Sequence, residues 1–268
     1  MFSDSHMHTS FSADSKAEPQ EMVEAAIARG MRSICFTDHH DIDFVSDAYL
    51  LDAERYMEKM TSLAQQYRGR IDIRIGVEVG MQPHLHDEVL KFVESRPFDF
   101  VIGSLHMVGG LDPYYRDTIP FSDEELYARY FEETLACVRN IEGVQALGHL
   151  DYAVRYGYEK EKSYHLETHR EVIDAILEEL IKRDIALEVN TAGFKAGLPF
   201  PNPHPDIIRR YISLGGELVT LGADAHRPEH VGYAYDRIGE LLRDCGVKRI
   251  AEFTGKKPEF VPVDNEMS

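Results

Sequence analysis

Asp4-Ser5-His6-Met7-His8 is the stretch on which the reading of the fold turns. On an extended strand, residues i and i+2 point to the same face. His6 and His8 can therefore present two imidazoles to one point from a strand end. Alone, such a pair is as often a plain surface feature. It gains meaning because histidines and carboxylates recur behind later strands, each at the same place in its unit.

Working outward, strand and helix patterns alternate along the chain. A strand is expected over about 2–7, then a helix from Pro19 to Arg29 with Gly30 as its stop. Ser33-Ile34-Cys35-Phe36 reads as a buried strand leading to Thr37-Asp38-His39-His40. A helix is expected over 47–67, a strand from Ile71 to Val77, a helix from His84 to Glu94 and a strand from Phe98 to Ile102. After a long loop at 108–120, Ser122 and Glu125 form a capping-box signature for a helix reaching Asn140. Val144–Leu147 is a short strand. Residues 165–183 carry one apolar face and read as a helix. Ile185–Val189 is a strand, 193–203 a loop rich in glycine and proline, 204–214 a helix, Leu218–Leu221 a strand and 233–244 a helix. The polar tail from Lys256 onward is expected to be loosely held.

Seven strands separated by helices predict an α/β protein with a parallel sheet and outer helices. No glycine-rich phosphate fingerprint follows the first strand, which weakens a nucleotide-binding open sheet. A closed barrel brings all strand ends to one place, so a seven-stranded (β/α) TIM-like barrel is preferred, its site at the C-terminal face. No composition break marks a linker, and 1–268 is read as one domain.

The 268 residues are 43% hydrophobic, enough for one sizeable core, and carry 29 basic against 47 acidic residues, a formal charge of −18. A groove tracking a phosphate backbone needs excess lysine and arginine, so no nucleic-acid partner is expected. Any phosphate chemistry must draw on bound metals or a few placed cations. No apolar run approaches the roughly 18 residues of a membrane span, and no secretory signal is apparent. A cytoplasmic enzyme is expected, with no membrane partner. Cys35, Cys137 and Cys245 are scattered, as reduced thiols are.

Collected from the strand ends, the donors are His6, His8 and Asp14, then Asp38, His39 and His40, Glu78, His106, His149 with Asp151, and Asp224 with His226. These nitrogen and oxygen donors suit zinc, manganese or iron. They exceed what one ion needs, so two or three ions sharing a carboxylate are expected. A lone buried histidine is usually just hydrogen-bonded, and a lone strand-end glutamate is usually solvated; the joint pattern departs from both. His84, His86, His165, His169, His204 and His230 fall in helical or loop patterns and are read as surface residues.

The opening His-Met-His, Thr37-Asp38-His39, Glu78, His106, His149 and Asp224-Ala225-His226 together resemble the PHP (polymerase and histidinol phosphatase) family, in an ordered set reaching to about Gly232. The resemblance implies a distorted seven-stranded barrel with a trinuclear metal site. It implies that His6, His8, Glu78 and Asp224 hold one ion. Glu78 would bridge to a second, held by His106 and His149. Asp14, His39 and His226 would hold the third. Some members carry histidine where Asp14 stands here; either donor can coordinate.

A narrower likeness concerns the substrate. Gly148-His149-Leu150-Asp151-Tyr152 with Arg155-Tyr156, and Glu188-Val189-Asn190-Thr191-Ala192-Gly193 with the loop after it, look like stretches of histidinol-phosphate phosphatases of this family. That likeness implies a phosphomonoester hydrolase acting on L-histidinol phosphate in histidine biosynthesis, with Glu78, His8, Asp224 and Arg155 at the reacting centre. Arg155 and Lys195 would reach the phosphate, and His40 is a candidate substrate-side residue. The implied chemistry is in-line attack by a hydroxide shared between two ions. The alternatives are a family phosphatase or phosphodiesterase acting on nucleotides or another small ester, and a silent binding module. Loops 108–120 and 193–203 are expected to carry selectivity.

Overall fold

The computed structural model describes residues 3–263. In chain order its strands are β1 (Asp4–Met7), β2 (Ser33–Phe36), β3 (His39–His40), β4 (Asp72–Gly80), β5 (Phe100–Ser104), β6 (Ala146–Leu147), β7 (Ala186–Asn190), β8 (Val219–Gly222), β9 (Arg249–Thr254) and β10 (Lys257–Pro262). Seven of them lie parallel in the order β1-β2-β4-β5-β6-β7-β8, and β3 adds to β4 beyond the end of β2. The first and last strands then meet. The Asp224 N–H donates to the His6 carbonyl and the His8 N–H to the Ala225 carbonyl, each at 2.8 Å. The sheet is a nearly closed, distorted (β/α) barrel, and the expected fold class holds.

The intervening helices are α1 (Pro19–Ala28), α2 (Ala53–Gln66), α3 (His86–Glu94), α4 (Asp123–Asn140), α5 (Arg170–Lys182), α6 (Ala192–Lys195), α7 (Pro205–Ser213) and α8 (Tyr235–Asp244). Local signals set their ends. Ser122 Oγ accepts from the Glu125 N–H at 3.2 Å and starts α4, whose buried stripe includes Leu126, Tyr130, Phe131 and Val138. The helix expected over 47–67 is shorter, because Asp52 caps α2 through the Arg55 N–H at 3.2 Å and 47–49 form a separate 3-10 turn. The helix expected over 165–183 likewise begins at Arg170, after a 3-10 turn at Leu166–His169. The loop expected over 193–203 opens inside the short α6.

The tail departs from expectation. Lys257–Pro262 is not loose: it pairs antiparallel with Arg249–Thr254 along its whole length. Gly255 and Lys256, with φ of +54° and +64°, make the two-residue turn, the twist that suits a tight hairpin. Strand β9 closes the end of the barrel where the strands begin. Phe253 stacks on Phe100 with ring centroids 5.0 Å apart. Ala251 and Phe253 pack with Cys35, Ile102, Ala146 and Ala186. Buried Glu252 accepts from Arg74 Nη1 at 2.7 Å and from Ser33 Oγ at 3.2 Å, and pairs with Arg32. With that end covered, the strand-end donors face the opposite mouth. Phe2, part of the first expected strand, and 264–268 of the tail lie outside the described residues.

Candidate metal centre

The open mouth gathers the strand-end donors around one carboxylate. Glu78, on β4, is fully buried. Its Oε2 stands 3.2 Å from His6 Nε2, 3.4 Å from His8 Nε2 and 3.1 Å from His39 Nδ1. Its Oε1 stands 3.3 Å from His106 Nε2 and 3.0 Å from His149 Nε2, and accepts from Ser104 Oγ at 2.6 Å. Asp224 joins from β8, with Oδ1 3.5 Å from His8 Nε2 and 3.9 Å from His6 Nε2. Barrel closure thus brings together residues from the two ends of the sheet. Asp14 Oδ2 lies 3.1 Å from His226 Nε2 and 3.6 Å from His39 Nε2. The rings of His39 and His226 both stack on His8, with centroids 4.2 and 4.1 Å away. The nine ligands implied by the family resemblance therefore stand at this mouth.

The arrangement fits cations better than a hydrogen-bonded histidine core. Buried polar atoms are normally paired. Here Glu78 Oε2 and the Nδ1 atoms of His39 and His149 are buried without a hydrogen-bond partner, although His39 Nδ1 and Glu78 Oε2 are close neighbours. The two Nε2 atoms of His6 and His8 face each other at 3.1 Å. Four overlapping sets of donor atoms lie within 4.8 Å of one another: His8-His39-His226, His6-His8-Asp224, His39-Asp41-His106 and Glu78-His106-His149. Nitrogen and carboxylate oxygen donors in such sets match zinc, manganese or iron chemistry.

Behind the donors stand partners that the sequence reading did not single out. His6 Nδ1 donates to Glu188 Oε1 at 2.6 Å, and that leaves its Nε2 lone pair facing Glu78. Ser12 Oγ gives its proton to Asp38 Oδ1 at 2.7 Å, so it accepts from His8 Nδ1 at 3.1 Å. His106 Nδ1 donates to Asp41 Oδ1 at 2.7 Å. Partners of this kind fix the tautomer of a ligating histidine. The charges are mutually supporting. Burial opposes ionisation of Asp41, yet His106 beside it holds its carboxyl down to about 2. Burial likewise opposes protonation of His106, yet Asp41 and Glu78 raise its ring to about 10. His149 and Asp224 adopt positive φ, +22° and +52°. Such strain persists in non-glycine residues only where the surroundings enforce it.

The substrate-side expectations divide. Arg155 is buried at the mouth, where Nη1 donates to Asp224 Oδ2 at 3.0 Å, Nη2 to Asn190 Oδ1 at 2.9 Å and Nε to Asn202 Oδ1 at 2.7 Å. Lys195 Nζ donates to the Asp224 carbonyl at 2.8 Å and ties down that turn. His40 faces away. Adjacent strand residues point to opposite faces, so His39 faces inward while His40 stacks on Phe92, centroids 3.4 Å apart, and accepts from the Leu51 N–H at 3.0 Å. Burial keeps its ring neutral, down to about 4. His230, read as a surface residue, lies on the rim, and His169 is buried beside Phe131. Of the two loops, 108–120 supplies Asp112, Tyr114 and Tyr115 to the rim. Loop 193–203 supplies Asn202 as the support of Arg155.

The mouth is a cavity of about 670 Å³ whose floor holds Glu78 and the histidines and whose wall holds Arg155, Arg227 and several tyrosines. A larger one of about 790 Å³, between α5 and α7, is lined by none of these donors. Among the described residues no helix is long and apolar enough to cross a membrane.

Residues 4–192 match the model of the PHP domain family. The chain is 34% identical over 264 residues to a histidinol-phosphatase of Lactococcus lactis subsp. lactis, covering 95% of each protein. It is 30% identical over 252 residues to a probable histidinol-phosphatase of Clostridium acetobutylicum, covering 93% of this chain and 96% of the relative. Among solved structures it superposes with a TM-score of 0.88 and 33% identity on the histidinol phosphate phosphatase of Lactococcus lactis complexed with zinc, L-histidinol and phosphate, covering 96% of this chain and 98% of the other.

Proposed function

The chain belongs to the PHP domain family, and from that premise we propose that it is a metal-dependent phosphomonoester hydrolase converting L-histidinol phosphate to L-histidinol and phosphate. The observation that carries the reading is Glu78: one fully buried carboxylate whose two oxygens face five imidazole nitrogens. The named relatives and the zinc, L-histidinol and phosphate of the similar structure supply the substrate.

In this reading three ions, zinc, manganese or iron, would be held by His6, His8, Glu78 and Asp224, by Glu78, His106 and His149, and by Asp14, His39 and His226. When bound, such ions activate water and neutralise phosphoryl charge. The chain's residues do the rest. Glu188, Ser12 and Asp41 hold His6, His8 and His106 in the tautomers that aim Nε2 inward. Arg155 has five N–H groups; three are committed to Asp224, Asn190 and Asn202, and the other two are left for phosphoryl oxygens. Arg227 adds a second guanidinium to the same wall. Together they bind and orient the phosphate of the ester, so that its alcohol points away from the floor toward the tyrosine-lined rim. The reading takes the chain as one PHP-type barrel domain working in the cytoplasm.

The test is substrate discrimination by the purified, metal-loaded protein. Phosphate release from L-histidinol phosphate should far exceed release from nucleoside monophosphates, with single-stranded DNA left intact. Comparable rates on nucleotides would overturn the substrate. No turnover of any phosphoester by fully metallated protein would overturn the hydrolase.

A further inference from the structure

The rim of the cavity holds a carboxylate with no counterion. Asp112 is 8% exposed and lines the same cavity as Glu78 and Arg155. Its Oδ1 accepts from the Tyr114 N–H at 2.8 Å. Among the described residues, no lysine, arginine or histidine forms an ion pair with it and Oδ2 has no hydrogen-bond donor. The other carboxylates of the lining, Asp14, Asp41, Glu78 and Asp224, all lie against histidine rings. Its free oxygen opens on the cavity without a cation, and a cationic ligand group would complement that charge.

Its surroundings suit such a group. A path of rings leads out from the floor: His106 to Tyr152 at 5.5 Å between centroids, Tyr152 to Tyr156 at 5.0 Å and Tyr156 to Tyr114 at 5.7 Å. Asp112 is close enough to His106, Tyr152 and Tyr156 for their charges to interact. Aromatic faces beside a carboxylate attract an organic cation. The cavity thus offers donors for metals and two guanidiniums together with an anion beside aromatic rings.

Resting on the phosphomonoesterase reading, we propose that Asp112 is a specificity-determining residue that accepts the ammonium group of the leaving alcohol, so that the site selects phosphate esters of amino alcohols. An ester with phosphate at one end and ammonium at the other matches both features of the cavity. An ester lacking the ammonium leaves Asp112 without a counterion.

The test is Asp112→Asn, which keeps an Oδ1 acceptor for the Tyr114 N–H and so preserves the loop. Steady-state rates are compared on L-histidinol phosphate, on the same ester without its amino group, 3-(imidazol-4-yl)propyl phosphate, and on p-nitrophenyl phosphate. The variant should lose roughly 10- to 100-fold in kcat/KM on the amino ester, the range for a hydrogen bond to a charged group. It should keep its rate on the other two and its inhibition by inorganic phosphate. An equal loss on all three esters would show a structural effect and overturn the proposal, as would no loss on any. If wild-type protein hydrolyses none of them, the phosphomonoesterase reading itself has failed, a result distinct from both.

Discussion

Glu188→Gln should damage the metal centre without removing any candidate ligand. Glu188 Oε1 accepts from His6 Nδ1 at 2.6 Å, while Oε2 accepts from the His149 backbone N–H at 2.9 Å and from Asn190 Nδ2 at 3.1 Å. A carboxylate can accept on both sides; an amide can accept on one. If the amide oxygen stays with His149 and Asn190, its NH2 faces His6 Nδ1. That nitrogen must then accept, and the ring proton moves to Nε2, the atom that faces Glu78 and His8. If the amide turns over, two buried donors lose their acceptor, at about 1–3 kcal/mol each. The first arrangement costs the fold less, so the variant folds with His6 in the tautomer that cannot ligate. Loss of such a supporting partner typically lowers metal affinity by roughly 10- to 100-fold, or about 1.4–2.8 kcal/mol. The expectation sits at the upper end, because the tautomer changes as well as the orientation. The assay is competition for zinc against a chelator of known affinity, with thermal denaturation in excess chelator as the check on folding. Wild-type zinc affinity in a folded variant would refute the reasoning: either Glu188 does not set the tautomer or His6 does not ligate.

Three further perturbations separate the roles of neighbouring residues. Arg155→Ala should raise the inhibition constant for inorganic phosphate and lower kcat/KM, while metal content measured by elemental analysis is retained. His40→Gln should leave kcat unchanged and lower stability to denaturant, because the ring packs on Phe92 and faces away from the cavity. Glu252→Gln should cost about 3–5 kcal/mol in chemical denaturation, the range for breaking one side of a buried ion pair. Burial opposes the Glu252 charge, but Arg74 holds its carboxyl below the ordinary glutamate value. Its contribution is therefore present above that ordinary value and is lost as pH falls through the lower folded one. Wild-type stability should drop over that acid window, and the variant should lack the drop.

How much could be read from the chain follows from which rules act locally. The strand rule that pairs His6 with His8 is local, and it located half of one ligand set. Applied one step further, the same rule separates His39 from His40, a distinction obscured by the likeness of the two residues. Strand-end position found Glu78, His106, His149 and Asp224, because a barrel converges its strand ends whatever the loops do. Asp41 follows the end of β3, and Glu188 is a carboxylate inside the apolar strand β7, so their supporting roles had a signal. Only the fold, however, shows which ring nitrogens they face. Asn202 had none: it reaches Arg155 across 47 positions of sequence. In the terminal hairpin Pro258 and Pro262 read as breakers, yet β10 is an edge strand, where proline is tolerated. The Gly255-Lys256 turn was the available clue. Lys195 had no local signal for its contact, because a loop lysine's reach is set by tertiary packing, which turns it to the Asp224 carbonyl.

The central claim is that Glu78 is shared between ions in a polynuclear site. Anomalous diffraction from crystals of the metal-loaded protein, recorded at the absorption edges of zinc, iron and manganese, tests it most directly. The account predicts three peaks at the open mouth, two of them in contact with Glu78, one through each carboxylate oxygen. A single peak, or peaks with Glu78 outside coordinating distance, would contradict it.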